Sequence, residues 1–479
     1  MTVNCQTYRD SNGLKISGGK ILTPQTDQRL KRAQAMVAFC NGRTDDTRSL
    51  GTDAQKNINW QTVGYWARQR AALGFPKPFD VRYWEVGNEP YWTSISASHY
   101  AENFNEFCKA MKEVDPKIRI GAAGWNYLRN GDLHPAWGWA ETVLGITKDY
   151  LDFYSIHSYY PSAPEWQAGD DPDDNNYKET KWFLAVMAGA TQALSQDDLY
   201  YFRGVIDQYT DNPNAPPNQR RKVGLAVTEY GIDPYESAPD DEFPPTPTHL
   251  KAMDYANLAR ALFDADFLMQ LVKNAASLRL ITATSYTLHN NQPHAAIGPI
   301  FAFPNIWGTR STRPQYYALK MVKDALATRR LVTTNVNSSQ KRFSTDGEPP
   351  VGNVPASLTV DCLDALAALP NNNQTSLVLV VINRSLDNSS GDINTNIQVQ
   401  GFTPRSGTAT ILGFKNTQGT LNNKEDHNEF GDRDDTYPNN LDLACQKVEP
   451  ISENITPAPS VNFNYTFKAH SLTVLELRP

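Results

Sequence analysis

Two glutamates in this chain each close an apolar run. Residues Val81 to Trp92, VRYWEVGNEPYW, end their apolar part in Gly87-Asn88-Glu89-Pro90, and further along VGLAVTEYGIDP ends in Thr228-Glu229-Tyr230-Gly231. A third run, Leu151 to Ile156, finishes in HSYYP, which puts His157 and Tyr159 on one face of a strand by its period of two. Burying an unpaired carboxylate is costly, so two of them at matching strand ends ask for a use. Cleavage of a glycosidic bond supplies one: a carboxyl group protonates the leaving oxygen while a second carboxylate meets the developing oxocarbenium ion. Hydride transfer has no evident use for such a pair, and the Gly-rich phosphate loop that accompanies it is missing from the sequence.

Each of these residues also has a plainer reading. A lone glutamate at a strand end is more often solvated or ion-paired, and a lone His157 is more often a satisfied core histidine. The repetition of Glu89 and Glu229 in equivalent settings favours chemistry. Glu85, four residues deeper than Glu89, is expected to be buried and hydrogen-bonded in a structural role. Trp125, Trp137 and Trp139 follow the run Ile118 to Ala123; packing explains them at least as well as stacking on sugar faces, and Trp125 is kept as a candidate substrate contact. His289 and His294 in HNNQPH have no third ligand nearby, so no metal site is expected. The chemistry calls for no cofactor.

These side chains need a frame that presents strand ends. Apolar runs of strand length recur at Met1 to Cys5, Val81 to Val86, Ile118 to Ala123, Leu151 to Ile156, Val223 to Val227 and Leu278 to Tyr286, with helical patterns between them. That alternation predicts a parallel sheet with crossover helices. Along the second run Tyr83, Glu85, Gly87 and Glu89 would share one face, with Trp84 and Val86 on the other. The clearest helix carries Tyr100, Phe104, Phe107, Met111 and Val114 on one side and should stop before Asp115-Pro116. A second amphipathic stretch runs from His249 to Ala276, and the acidic, Pro-rich segment Pro161 to Tyr177 reads as a loop. Beyond about residue 330 the texture changes to strand-like runs such as TSLVLVVINRS, GTATILGF and FKAHSLTVLEL, which predict an antiparallel β-sandwich.

Composition narrows the partners. With 45 Lys and Arg against 52 Asp and Glu, the net charge of -7 gives no footprint for nucleic acid or an anionic membrane. No apolar run approaches the roughly 18 to 20 residues of a membrane span, and no basic-then-apolar leader opens the sequence. The five cysteines are odd in number and widely spaced, which indicates neither a zinc site nor a disulfide scaffold; Cys362 with Cys445 is the one bridge to consider. Compartment and homo-oligomerisation are left open.

The chain resembles the clan A retaining glycoside hydrolases, whose (β/α)8 barrels carry an Asn-Glu acid/base and a Glu nucleophile at two strand ends. Asn88-Glu89 and Glu229 match those positions. More closely, AMVAFCNG, FDVRYWEVGNEP, LDFYSIHSYY and HSLTVLEL are similar to segments of the α-L-arabinofuranosidase family with a C-terminal β-sandwich. The resemblance implies a TIM barrel over residues 1-328 and a β-sandwich over 329-479. It also implies a barrel that starts at its third strand, MTVNC, with two βα units missing. Glu89 would be the acid/base and Glu229 the nucleophile; Asn88 would bind the sugar hydroxyl next to the reacting carbon, and Tyr159 would hydrogen-bond the nucleophile. The implied substrate is a terminal α-L-arabinofuranosyl group on a plant-type polysaccharide or oligosaccharide. Thr228-Glu229-Tyr230 replaces the family's Asp-Glu-Trp, and ITATSYTLHNNQPHAAIGPI does not match its last barrel strand. A clan A β-xylosidase or endo-β-glucanase is therefore the alternative enzyme, and a non-catalytic glycan-binding or inactive truncated homologue the alternative of another class.

Overall fold

The computed structural model describes residues 1-3, 5, 7-9, 15-17, 19-93, 95-124, 138-163, 191, 199-210, 222-234, 258-283, 314-344, 357-371, 376-384, 391-413, 448-456 and 458-479. In chain order the elements begin with β1 (Thr2–Val3), β2 (Thr7–Arg9), β3 (Lys15–Ser17), α1 (Gln28–Asn41), α2 (Val63–Ala72), β4 (Tyr83–Val86), α3 (Ala97–Val114) and β5 (Arg119–Ala123). They continue with α4 (Trp139–Thr147), β6 (Phe153–Ala163), α5 (Tyr200–Thr210), β7 (Gly224–Pro234), α6 (Leu258–Leu278) and β8 (Leu280–Ala283). Two compact units result: Met1–His157, Asp198–Thr228 and Ala276–Thr282 form the first, and Ser158–Asp197, Glu229–Ala275 and Ala283–Pro479 the second. Among the described residues no helix is long and apolar enough to cross a membrane.

The sheet of the first unit has the order β1-β4-β5-β6-β7-β8, and β1 with β4, β4 with β5 and β5 with β6 pair in parallel. All six strand runs expected from the sequence contribute a strand to it. Several boundaries differ: β7 runs on through Glu229 to Pro234, so that Glu229 lies within the strand rather than at its end. Leu278 ends α6 rather than opening a strand, and β6 continues through Pro161 to Ala163, where a loop was expected; the rest of that loop and the start of the His249 helix lie outside the described residues.

Helix α3 shows why the pattern was readable. Ser96 caps it by accepting from the His99 N–H, the apolar spacing buries Tyr100, Phe104, Phe107 and Met111 completely, and Asp115, ahead of Pro116, leaves helical geometry with φ -139°. Tyr100 does more than fill space. Its hydroxyl donates to the Val86 carbonyl at 2.6 Å and accepts from the Ala123 N–H at 2.7 Å, which fastens the ends of β4 and β5 to the helix. Burial holds that phenol well above its ordinary pKa, so it stays a neutral donor. Tyr100→Phe should strand both backbone groups and lower the unfolding free energy by about 1-3 kcal/mol, measured by urea denaturation.

The second unit adds α7 (Pro314–Leu326) and ten further strands: β9 (Arg329–Val332), β10 (Gln340–Ser344), β11 (Ser357–Asp361), β12 (Leu363–Pro370), β13 (Leu377–Asn383), β14 (Ile393–Gln398), β15 (Ser406–Leu412), β16 (Ile451–Asn454), β17 (Asn462–Phe467) and β18 (Ser471–Arg478). An antiparallel sheet of order β16-β15-β18-β13-β12-β9 forms its centre, as the change of texture after residue 330 predicted. One face, with Val381, Ile411 and Leu475, packs on Phe463 and Phe467 of the β14-β17 pair. The other, with Val380, Ile382 and Leu472, packs on Leu262 and Met269 of α6 and Val322 of α7. A continuous apolar run such as Leu377 to Ile382 fits a strand covered on both faces, and helices cover the face where a second β-layer would have been the simplest guess. Cys362 is a buried free thiol; Cys445 lies outside the described residues.

A buried charge cluster ties this sheet to α6. Arg384 donates to Asp266 through Nε at 2.8 Å and Nη2 at 3.0 Å, and Asp364 accepts from Gln270 at 2.6 Å and from Lys273. Burial and the neighbouring Asp266 charge push the Asp364 carboxyl from 3.8 up to about 6. Burial opposes ionisation of Asp266 too, but Arg384 outweighs it and holds that carboxyl low. The folded state thus keeps a proton on Asp364 more tightly than the unfolded chain does. The stabilisation from that proton is complete below about pH 4 and is lost as the pH rises to about 6, on the order of 3 kcal/mol in all. Urea unfolding across this window should show the decline, and Asp364→Asn should flatten it.

Candidate active site

The site is built on β4 from the bottom up. Glu85 points inward and is only 5% exposed, yet its carboxylate is satisfied by hydroxyls from three other strands. Thr2 of β1 and Thr228 of β7 each donate at 3.4 Å, and Ser155 of β6 makes the tightest contact. To reach Glu85 from β6, Ser155 must cross β5, where Gly121 pairs with Phe153 and Ala123 with Ser155 in register. Only small residues leave that path open. A Cβ on Gly121 would lie 2.0 Å from the Phe153 ring, which is itself buried. Gly121→Val should therefore destabilise the chain by about 1-3 kcal/mol through overpacking, read as a drop in the denaturation midpoint.

Above Glu85 the strand ends in a turn. Gly87 has φ +86°, and a Cβ there would meet the Cys5 sulfur at 2.7 Å, so glycine is required twice over. Burial pushes that Cys5 thiol up to about 12, which leaves it inert as a nucleophile. Glu89 itself is left-handed, with φ 44° and ψ 49°, and Pro90 opens a short 3-10 turn. This corrects the reading of Glu89 as a further residue of the strand face: two left-handed residues, rather than the pleat, aim its side chain. For a residue with a Cβ such a conformation costs on the order of 1-3 kcal/mol and persists only where the surroundings over-determine it.

Those surroundings include His157. Its Nδ1 hydrogen-bonds Glu89 Oε1 at 2.9 Å, and the Tyr91 hydroxyl donates to the same oxygen at 3.3 Å. The imidazole is 5% exposed and the Glu89 carboxylate 29%, so a buried ring orients a carboxylate that solvent can reach. Along β6 the period of two holds: Ser155 meets Glu85 in the depth of the sheet and His157 meets Glu89 at its rim.

The remaining candidates are distributed as follows. Asn88 is exposed beside Glu89. Glu229 lies on β7, buried, directly after the Thr228 whose hydroxyl reaches Glu85. Tyr159 is in β6, but its side chain, like Trp125, Trp137, His289 and His294, lies outside the described residues. Trp139 is a packing residue: it is buried, donates to the Ala123 carbonyl at 3.1 Å and stacks on Tyr100 at 5.2 Å between ring centroids. Sequence reasoning overlooked Ser155, Thr228, Thr2 and Tyr91. The first was legible in principle, two positions before His157 on the same strand face; the hydroxyls from β1 and β7 belong to other strands and leave no local signal.

With this geometry in view, comparison with known proteins places the chain. Its residues 10–176 match the family described as α-L-arabinofuranosidase 1 domain. An intracellular exo-α-(1→5)-L-arabinofuranosidase from Halalkalibacterium halodurans is 27% identical over 243 residues, which is 48% of this chain and 43% of that protein. Its counterpart from Bacillus subtilis is 24% identical over 239 residues, again 48% and 43%. The chain thus spans less than half the length of these curated relatives. Among solved structures, the α-L-arabinofuranosidase from Thermotoga maritima in complex with arabinose superposes with a TM-score of 0.60 at 21% identity, covering 94% of this chain and 73% of that one. A family 51 α-L-arabinofuranosidase from Bifidobacterium longum gives 0.60 at 20%, with 94% and 74% covered. In fold, then, the chain is like these solved arabinofuranosidases. In sequence it is arabinofuranosidase-like over its N-terminal third.

Proposed function

We propose that the chain is a retaining glycoside hydrolase that removes a terminal α-L-arabinofuranosyl group from plant-type polysaccharide or oligosaccharide by double displacement. The observation that carries this reading is Glu89: a strained, partly exposed carboxylate at the C-terminal end of a parallel strand, the edge where such sheets place their active sites, held through one oxygen by His157. Because Tyr91 and His157 both engage Oε1, Oε2 is the oxygen left to face a substrate.

In the mechanism, Glu229 attacks the anomeric carbon while Glu89 gives its proton to the departing oxygen. Glu89 then takes a proton from the water that hydrolyses the glycosyl-enzyme. Asn88 contacts the hydroxyl next to the reacting carbon, Tyr159 steadies Glu229, and Trp125 offers an apolar face to the sugar. We read the parallel sheet as strands three to eight of a (β/α)8 barrel spanning residues 1-328, followed by a β-sandwich domain over 329-479. The likeness in fold to the arabinofuranosidases supports this reading, and no cofactor enters it.

The test is turnover of p-nitrophenyl α-L-arabinofuranoside, β-D-xyloside and β-D-glucoside by the purified chain. The arabinofuranoside should be cleaved fastest. Glu229→Ala should reduce kcat at least about a thousandfold, and His157→Ala, by loosening Glu89, about ten- to a hundredfold. Preference for the xyloside or glucoside would reassign the sugar, and a folded chain silent on all three would overturn the hydrolase reading.

A further inference from the structure

The turn that carries Glu89 also carries Tyr91, a buried phenol with no part of its own in the proposed chemistry. Its hydroxyl donates to Glu89 Oε1 at 3.3 Å, the oxygen that His157 Nδ1 meets at 2.9 Å. That contact is long for an O–H···O bond, as such bonds often are before a substrate tightens them, so what matters is how firmly the phenol is seated. The backbone at Tyr91 is closed into the 3-10 turn Pro90–Trp92, where the Thr93 N–H and hydroxyl donate to the Pro90 carbonyl at 3.0 and 2.6 Å. The ring stands edge-on to Trp139, with centroids 5.8 Å apart and planes at 86°, a favoured arrangement for aromatic pairs. Trp139 in turn is bonded to the Ala123 carbonyl and stacked on Tyr100, the residue that fastens the ends of β4 and β5. The phenol is thereby tied through two rings to the frame from which the Glu89 turn departs.

A single contact leaves the last torsion of a glutamate soft, because that torsion has no sharp staggered minima. A second contact, from a different element than the first, locks it. An oxygen that already accepts from a phenol is also the less favourable seat for the carboxyl proton, which falls to Oε2. On the reading of Glu89 as acid/base, we propose that Tyr91 is a positioning residue for proton transfer. Its hydroxyl locks the Glu89 carboxyl so that Oε2 delivers its proton to the departing oxygen as the bond from that oxygen to the anomeric carbon breaks. Tyr91 touches no substrate in this role and acts through Glu89.

The need for that proton depends on the leaving group, which makes the role measurable. A 2,4-dinitrophenolate departs without protonation, whereas a 4-methoxyphenolate needs it. In Tyr91→Phe, which keeps the ring against Trp139, kcat/KM for 4-methoxyphenyl α-L-arabinofuranoside should fall about tenfold, while kcat/KM for the 2,4-dinitrophenyl compound stays within about twofold. With the dinitrophenyl substrate kcat and KM should fall together, since kcat/KM follows formation of the glycosyl-enzyme and kcat its hydrolysis, where Glu89 must take a proton from water. A residue that merely shapes the site would lower kcat/KM for both substrates. Should Tyr91→Phe fail to fold, Trp139→Phe, which loosens the seat of the phenol and keeps an aromatic core, should give the same selective loss. Equal losses on the two substrates, or no loss on either, in a chain that is active before substitution would overturn the role of Tyr91. An unsubstituted chain that cleaves neither substrate would instead overturn the hydrolase reading, and this role with it.

Discussion

The first unit depends on satisfying one buried carboxylate. Glu85 sits in the interior of a parallel sheet with no basic side chain bonded to it among the described residues, and hydroxyls from β1, β6 and β7 meet it instead. This arrangement joins strands that are not neighbours in the sheet, so it constrains register as well as stability: sliding β6 by one residue would turn Ser155 away and leave the carboxylate short of a donor. Hydroxyl donors bring no charge of their own. Glu85 within β4 and Glu89 in the turn after it consequently sit in different settings, Glu85 enclosed by short polar side chains and Glu89 at the rim between an imidazole and solvent.

The same crossing explains the sequence of β5. Arg119-Ile-Gly-Ala-Ala123 has the look of an unremarkable apolar strand, yet its inward positions are held small by what β6 must send across it. Tyr100 then fixes the end of β5 and the end of β4 to α3 through one hydroxyl, just below the turn that carries Glu89. Core packing and site geometry are in this way one problem: the helix that fills the core also sets the height at which the strand stops. The second unit solves a different problem, covering both faces of an antiparallel sheet, and it accepts a buried charge cluster at the junction of α6 and that sheet.

Likeness to the arabinofuranosidases agrees with this picture at two levels. In sequence the matched region, residues 10–176, contains the Glu89 turn and His157, the part where local geometry is most demanding. In fold the likeness extends over nearly the whole chain at about 20% identity, as expected if layer packing tolerates exchange of one apolar residue for another.

What the sequence determined by itself was whatever repeats with a local period. The strand runs, the buried face of α3, the stop at Asp115-Pro116, the antiparallel texture beyond residue 330 and the placing of Glu89 just past an apolar strand are all of that kind, since burial imposes its period directly on the order of residues. The tertiary structure alone decided what depends on partners distant in sequence. It showed that Glu89 is aimed by two left-handed residues rather than by the pleat, that its Oε1 is held by His157, that Trp139 is packing, that helices cover one face of the antiparallel sheet, and that Gly121 is small because of Phe153. Such choices are set by distances between side chains brought together from separate strands and helices, and no window of neighbouring residues contains them.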